Sequence, residues 1–183
     1  YFDLLIARLG HVRDTQNTAI HDAAKLCADS IAADKLVFTF GTGHGALPAI
    51  ETFPRTGTIS GFRPIVESSM ISFHRVLGDQ GARQYRFIHA VEGYGNAILD
   101  AHHLDPADTL VLFSHSGINA VILDMALEAK AKGMKVIAVT SLPHSSNTKS
   151  RHSSGQRPFE VADVVIATGV PKSHPTLRSD GPK

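Results

Sequence analysis

Residues Asp108 to Ser141 place two serines, a histidine and a glycine between an apolar run and a helical pattern, an arrangement suited to holding an anion. Ser114, His115, Ser116 and Gly117 end the strand-like stretch Thr109 to Phe113, and Ile118, Val121, Ile122, Met125 and Ala129 recur behind them at helical spacing. The hydroxyls are thus expected at a helix N-terminus, where unpaired N–H groups and the positive end of the helix dipole favour a phosphate. Ser114, Ser116 and Asn119 would also serve as ordinary helix caps, a role compatible with ligand binding. A second glycine-rich turn, Gly41, Thr42, Gly43, His44 and Gly45, follows the apolar segment Lys35 to Phe40. A third polar pair, Thr140 and Ser141, ends Lys135 to Thr140.

Composition narrows the chemistry. The 183 residues suit one domain, able to bury about two-thirds of its extended surface. Lys plus Arg number 18 and Asp plus Glu 17, so no broad positive field is available for a nucleic acid. Cys27 is the single cysteine, which excludes an intramolecular disulfide framework and fits a reducing, cytoplasmic compartment. No apolar run approaches the ~20 residues needed to cross a bilayer, and no signal-peptide pattern opens the chain.

Other chemistries fit less well. Gly41-x-Gly43-x-x-Ala46 matches a dinucleotide fingerprint, but Phe62-Arg63 stands where the ribose-binding acid is expected, so no nicotinamide cofactor is assigned. Eleven histidines invite a metal, yet His102-His103 splay apart on a helix and no His-Glu-x-x-His occurs; no metal site is expected. Ser-His-Ser-Gly lacks the preceding glycine of a nucleophile elbow.

The elements that must position these turns alternate. Residues 1–33 form an amphipathic opening region that Asp14-Thr15 either breaks or turns to solvent. Strands are expected at Lys35 to Phe40, Gly57 to Phe62, Thr109 to Phe113, Lys135 to Thr140 and Asp163 to Ala167, with helices from Ala46, over Ile65 to Leu77 and over Tyr85 to Ala101. Near-continuous apolar strands separated by helices predict a parallel sheet covered on both faces, with right-handed crossovers. Pro143 to Pro158, rich in Ser, His and basic residues, reads as a loop that either caps the carboxyl ends of the strands as a lid or is a plain surface excursion.

The order of these motifs carries a resemblance. FGTGHG, the turn around His74, EGYGNAILD, SHSGINAVILDMALEAKAKGMKVIAVTSLPHS, SRHSSG, EVADVVI and GVP together resemble the sugar isomerase, or SIS, domain family over nearly the whole chain, within an uncharacterised bacterial branch. The resemblance implies one SIS domain over residues 1–183 with an α/β core at 34–168 and a tail at 169–183, in an α/β, three-layer αβα sandwich. Its sheet would be flavodoxin-like, mostly parallel and five-stranded. It also implies a phosphorylated sugar bound by Gly41, Thr42, Gly43, His44, Gly45, Ser114, His115, Ser116, Gly117, Asn119, Thr140 and Ser141, with no cofactor, in a homodimer or homotetramer. Two departures stand out: Gly45 occupies a position usually held by Ser, and His115 one usually held by Asn. Related chains continue past the GPK end with a further helix, which this sequence lacks.

Aldose–ketose isomerisation needs a base, usually a carboxylate, and an acid at the ring or carbonyl oxygen. Glu67 and His74 are the expected pair, His74 by its likeness to a His-bearing segment of some sugar-phosphate isomerases; Glu51 and Glu92 rank behind them. A sugar-phosphate sensor, and an amino-sugar phosphate deaminase or etherase, are the competing functions, because the fold does not separate them.

Overall fold

A computed structural model describes residues 2–71 and 82–171 of the chain. Five parallel strands form its centre: β1 (Val37–Gly41), β2 (Phe62–Pro64), β3 (Thr109–Phe113), β4 (Lys135–Thr140) and β5 (Val164–Ala167). Their order is β2-β1-β3-β4-β5, the flavodoxin-like arrangement. The helices are α1 (Phe2–Ala32), α2 (Ala46–Glu51), α3 (Ser68–Ile71), α4 (Ala82–Ile88), α5 (Tyr94–Asp100), α6 (Ala120–Ala131), α7 (Leu142–Ser145) and α8 (Pro158–Val161).

Strand alternation sorts the core into two sides. Phe38, Phe40, Leu110, Leu112 and Val136 face Ile98, Leu99, Val121, Ile122 and Met125 from α5 and α6. Val37, Val111 and Ile137 face Ala23, Leu26, Cys27 and Ile31 of α1, and Thr39 hydrogen-bonds the Ala49 carbonyl of α2 on that side. A three-layer sandwich results, as the strand pattern predicts.

Several boundaries moved, each for a local reason. α1 runs unbroken through Asp14-Thr15, because Thr15 returns its hydroxyl to the His11 carbonyl and Asp14 pairs with Arg13 in solvent. β2 falls at Phe62–Pro64 rather than Gly57 to Phe62; as an edge strand pairing only with β1 it tolerates Pro64. The helix expected over Ile65 to Leu77 starts only at Ser68. The helix expected over Tyr85 to Ala101 is two, α4 and α5, split at Gly93, whose φ of 84° is left-handed. Asp124, buried on α6, enforces that break by accepting the N–H groups of Gly93 at 2.8 Å and Gly95 at 3.2 Å.

The amino ends of β1 and β3 are fastened by another buried carboxylate. Asp108, 3% exposed, accepts from the Leu36 N–H at 2.8 Å and the Asp105 N–H at 2.7 Å. Removing it leaves two N–H groups without partners where water is scarce. Asp108→Ala is therefore expected to cost about 3 kcal/mol in urea unfolding, against under about 0.5 kcal/mol for an exposed control such as Asp22→Ala.

Candidate functional site

Parallel pairing sets Gly41 opposite Phe113 and Phe113 opposite Val139, so the turns after β1 and β3 leave the sheet side by side. Between them lies a cavity of about 290 Å³ lined by Thr42, His44, Gly45, Ser114, His115, Ser116 and Asn119, together with Tyr85 and His144. The expected pair of turns thus meets in one place.

The first turn is a short 3₁₀ segment, Gly43–Gly45, that delivers the chain into α2. Gly45 packs so closely on β3 that a Cβ built there would lie 2.5 Å from the Phe113 carbonyl oxygen. Glycine at a position the family usually gives to serine is therefore matched to this tight approach. The second turn begins with the Ser114 N–H on the Val139 carbonyl at 3.0 Å, and the Ser114 hydroxyl accepts from the Gly117 N–H at 3.2 Å. Ser116 is half-buried, and its hydroxyl makes no hydrogen bond among the described residues. Asn119 has extended backbone before α6 but does not cap it; its side-chain oxygen accepts from Arg151 instead, at 3.1 Å. Capping alone therefore does not account for this residue.

Thr140 and Ser141 do not line the cavity. Both are buried, with the Thr140 hydroxyl on the His115 carbonyl at 3.3 Å and the Ser141 hydroxyl on the Val170 carbonyl. The Ser141 N–H also donates to the His115 carbonyl, at 3.1 Å, so this pair supports the second turn from beneath. Gly41, Gly43 and Gly117 shape the two turns without lining the cavity.

The candidate carboxylates for proton transfer lie elsewhere. Glu67 follows β2 and lines a neighbouring cavity of about 300 Å³ with Tyr94 and His102. Its carboxylate accepts the Ser69 hydroxyl at 2.7 Å, and that hydroxyl also meets the Tyr94 hydroxyl at 3.0 Å. His74 lies outside the described residues. Glu51 pairs with exposed Arg55, and Glu92 accepts from the Ser153 N–H and hydroxyl at 2.7 and 2.6 Å, which hold its carboxyl below the usual range. None of these carboxylates lines the cavity.

Sequence reasoning passed over Tyr85, His144, His89 and Arg151. His144 sits one turn beyond Ser141, which caps α7, and its ring meets His115 edge-on at 4.9 Å. Tyr85 approaches the Thr42 hydroxyl at 3.5 Å and packs edge-on against His89 at 4.4 Å between ring centres. His89 in turn faces the Arg151 guanidinium, 3.3 Å from its Nε2. Tyr85 and His89 stand four apart on the α4 helical turn, the one spacing signal that could have paired them.

The segment after α7 is neither an open lid nor a free excursion. The Arg151 N–H bonds the Ile118 carbonyl at 2.9 Å, His152 meets buried Asp124 at 3.2 Å, and Ser153 holds Glu92. These contacts latch the loop to the start of α6 and to the α5 entrance.

Burial, with the charges of Arg151 and Arg86 adding to it, pushes the His89 pKa below its ordinary value of about 6.5. The unfolded chain therefore takes up this proton before the folded one does, and His89 erodes stability as pH falls from about 6.5 toward its folded pKa. His102, lowered by burial and Arg63, acts in the same direction. Thermal unfolding from pH 8 to pH 5 is expected to show a smaller fall in Tm for His89→Gln than for the native chain; equal slopes would remove His89 from this account.

Comparison with known proteins agrees with the fold. The SIS domain pattern matches residues 1–141. The UPF0309 protein OB3413 of Oceanobacillus iheyensis is 36% identical over 169 residues, covering 92% of this chain and 67% of that protein. A UPF0309 protein of Streptomyces griseus is 32% identical over 181 residues, covering 99% of this chain and 70% of its own length. The chain spans about two thirds of the length of such relatives, 65% in the case of a Halalkalibacterium halodurans protein. Among solved structures, the phosphoheptose isomerase of Neisseria gonorrhoeae superposes with a TM-score of 0.62 at 18% identity, over 94% of this chain and 84% of that one. That of Francisella tularensis gives 0.61 at 19% identity, over 92% and 81%. With its doubly wound parallel sheet, its two turns around one cavity and these matches, the chain belongs to the SIS domain family.

Proposed function

We propose that the cavity between residues 41–45 and 114–119 binds the phosphate of a phosphorylated sugar. The observation that carries this reading is the convergence of Thr42, Ser114, Ser116 and Asn119 around one space at the start of α6. The helix has twelve residues and no side-chain cap; the Val121 N–H is held by the His89 carbonyl at 3.3 Å, while the dipole and the Ala120 and Ile122 N–H groups remain available to an anion. Among the described residues the lining offers hydroxyl, amide and imidazole groups and no carboxylate that would repel a dianion.

The activity we propose is aldose–ketose isomerisation of that sugar phosphate, with Glu67 as base and His74 as its partner. Glu67 leaves β2, the strand beside β1, on the same carboxyl edge as the phosphate turns. A bound sugar would extend from the cavity toward that edge. One observation favours a second reading, a sensor that binds without turnover: the Glu67 carboxylate is engaged by Ser69 and opens onto a separate cavity. An amino-sugar phosphate deaminase or etherase would use the same enolising step and is separated by its substrate.

We place the protein in the cytoplasm, consistent with one half-buried cysteine whose thiol pKa is pushed up by burial. Among the described residues no helix is long and apolar enough to cross a membrane. We also propose self-association as a homodimer or homotetramer through α1, where Leu4, Leu5, Ile6, Leu9 and Ile20 are exposed.

A thermal-shift screen of hexose, heptose, pentose and N-acetylamino-sugar phosphates tests the binding reading, because a selective ligand raises Tm by mass action. Ser116→Ala is expected to weaken the selected ligand by about 1.5–3 kcal/mol, and unchanged affinity would count against the assignment. For catalysis, Glu67→Gln and His74→Ala should abolish interconversion while leaving the thermal shift intact. A native chain that binds but turns over no sugar phosphate is the sensor.

A further inference from the structure

Among the described residues, the cavity proposed to hold a phosphate has no lysine or arginine in its lining, yet an arginine hydrogen-bonds the lining residue Asn119. We infer that Arg151 is a specificity-determining residue of this site, its guanidinium held at the rim to engage the phosphate and favour the dianion. The inference rests on the phosphosugar reading and names the charge that reading lacks.

Four observations support it. Arg151 touches the lining directly, with Nη1 3.1 Å from the side-chain oxygen of Asn119. That same nitrogen meets His89 Nε2 at 3.3 Å, so both described side-chain partners accept at one corner of the fork. A guanidinium carries five N–H donors, and those on Nε and Nη2 make no hydrogen bond among the described residues.

Its partners are neutral. Arg13, Arg55 and Arg157 each pair with a carboxylate, while Arg151 forms no ion pair among the described residues. The acids along the loop contacts are engaged elsewhere, Asp124 by Gly93, Gly95 and His152 and Glu92 by Ser153. Asn119 and His89 therefore orient the cation without cancelling its charge.

The base of the side chain is fixed. The Arg151 N–H bonds Ile118, one residue before Asn119, while the next two residues are fastened to Asp124 and Glu92. Holding the loop in advance lowers the ordering cost of using the arginine on a ligand. Taking the Asn119 oxygen also leaves the amide's two N–H donors for the cavity.

His89 completes the arrangement. It is 4% exposed, it accepts from Arg151 at Nε2, and its Nδ1 has no hydrogen-bond partner among the described residues. Through Tyr85 it connects to Thr42 of the first turn. Arg151, His89 and Tyr85 thus link Asn119 of the second turn to Thr42 of the first.

The test uses the native chain, Arg151→Gln, Arg151→Lys and Ser116→Ala, titrated calorimetrically with inorganic phosphate and with fructose 6-phosphate at pH 7.5. Arg151→Gln is expected to weaken both by roughly tenfold to a hundredfold, the range for a hydrogen bond to a charged group, with Lys intermediate because it keeps charge but not the fork. The slope of log Kd against log salt should flatten in Arg151→Gln, which loss of a merely structural contact would not produce. Because the substitution could loosen the loop, the native chain is also treated with phenylglyoxal, and adduct at Arg151 is followed by peptide mass spectrometry. Inorganic phosphate should slow that modification several-fold. Unchanged affinity in Arg151→Gln, or no protection of Arg151, with Ser116→Ala still weakened, would overturn the role of Arg151 and leave the phosphate site standing. A native chain that binds neither probe would remove both.

Discussion

Everything in the site descends from one backbone register, the parallel pairing of β1 with β3 that sets Gly41 level with Phe113. Two strands paired this way end together, and their following turns must share the space above the sheet. Bulk at Gly45 would force the turns apart, because the first lies directly on the Phe113 carbonyl. A one-residue slip would send Phe38 and Phe40 to the α1 side and Val37 to the other, exchanging the faces of the core. Hydrophobic sorting in the core thus protects the geometry of the site above it.

A second level of control comes from helix α6. Asn119, just before its first residue, borders the cavity, and Asp124 in its next turn receives Gly93, Gly95 and His152. A buried carboxylate with three donors is costly to disturb, since each partner left without it would face a dry interior. The position of the α5 entrance and of the loop carrying Arg151 is consequently referred to the same helix that presents the anion-binding end. Elements far apart in the chain are held in common register by one side chain.

Much of this was legible in residue order. The five apolar runs, the glycine turns and the helical repeat behind Ser116 each depend on local pattern, and the sheet order follows from the family resemblance they carry. Legibility failed where a distant group decided the outcome. The continuous helix expected from Tyr85 to Ala101 is broken by Asp124, 31 residues away in sequence, acting on Gly93. Thr140 and Ser141 have the composition of ligand-binding groups, but their neighbours' carbonyls claim the hydroxyls. His144 and Arg151 stand in stretches that carry the family resemblance without a ligand signal, Tyr85 in none of them, and only the folded chain brings the three near the site. Glu67 has the right chemistry on the right edge, with its carboxylate facing a different cavity.

Helix α1 packs along β5, with the Gln16 side chain accepting the Ala167 N–H at 2.9 Å and Arg8 donating to the Gly169 carbonyl at 2.6 Å. These contacts join segments more than 150 residues apart. On the ribosome, residues 2–32 emerge long before their partner strand is synthesised, at about 5–20 residues per second. For several seconds the nascent chain must therefore carry an uncovered apolar face, Ala23, Leu26, Cys27 and Ile31, whose native docking surface does not yet exist. High sequence separation of this kind slows closure of the fold and makes the early chain a natural client for a holding chaperone.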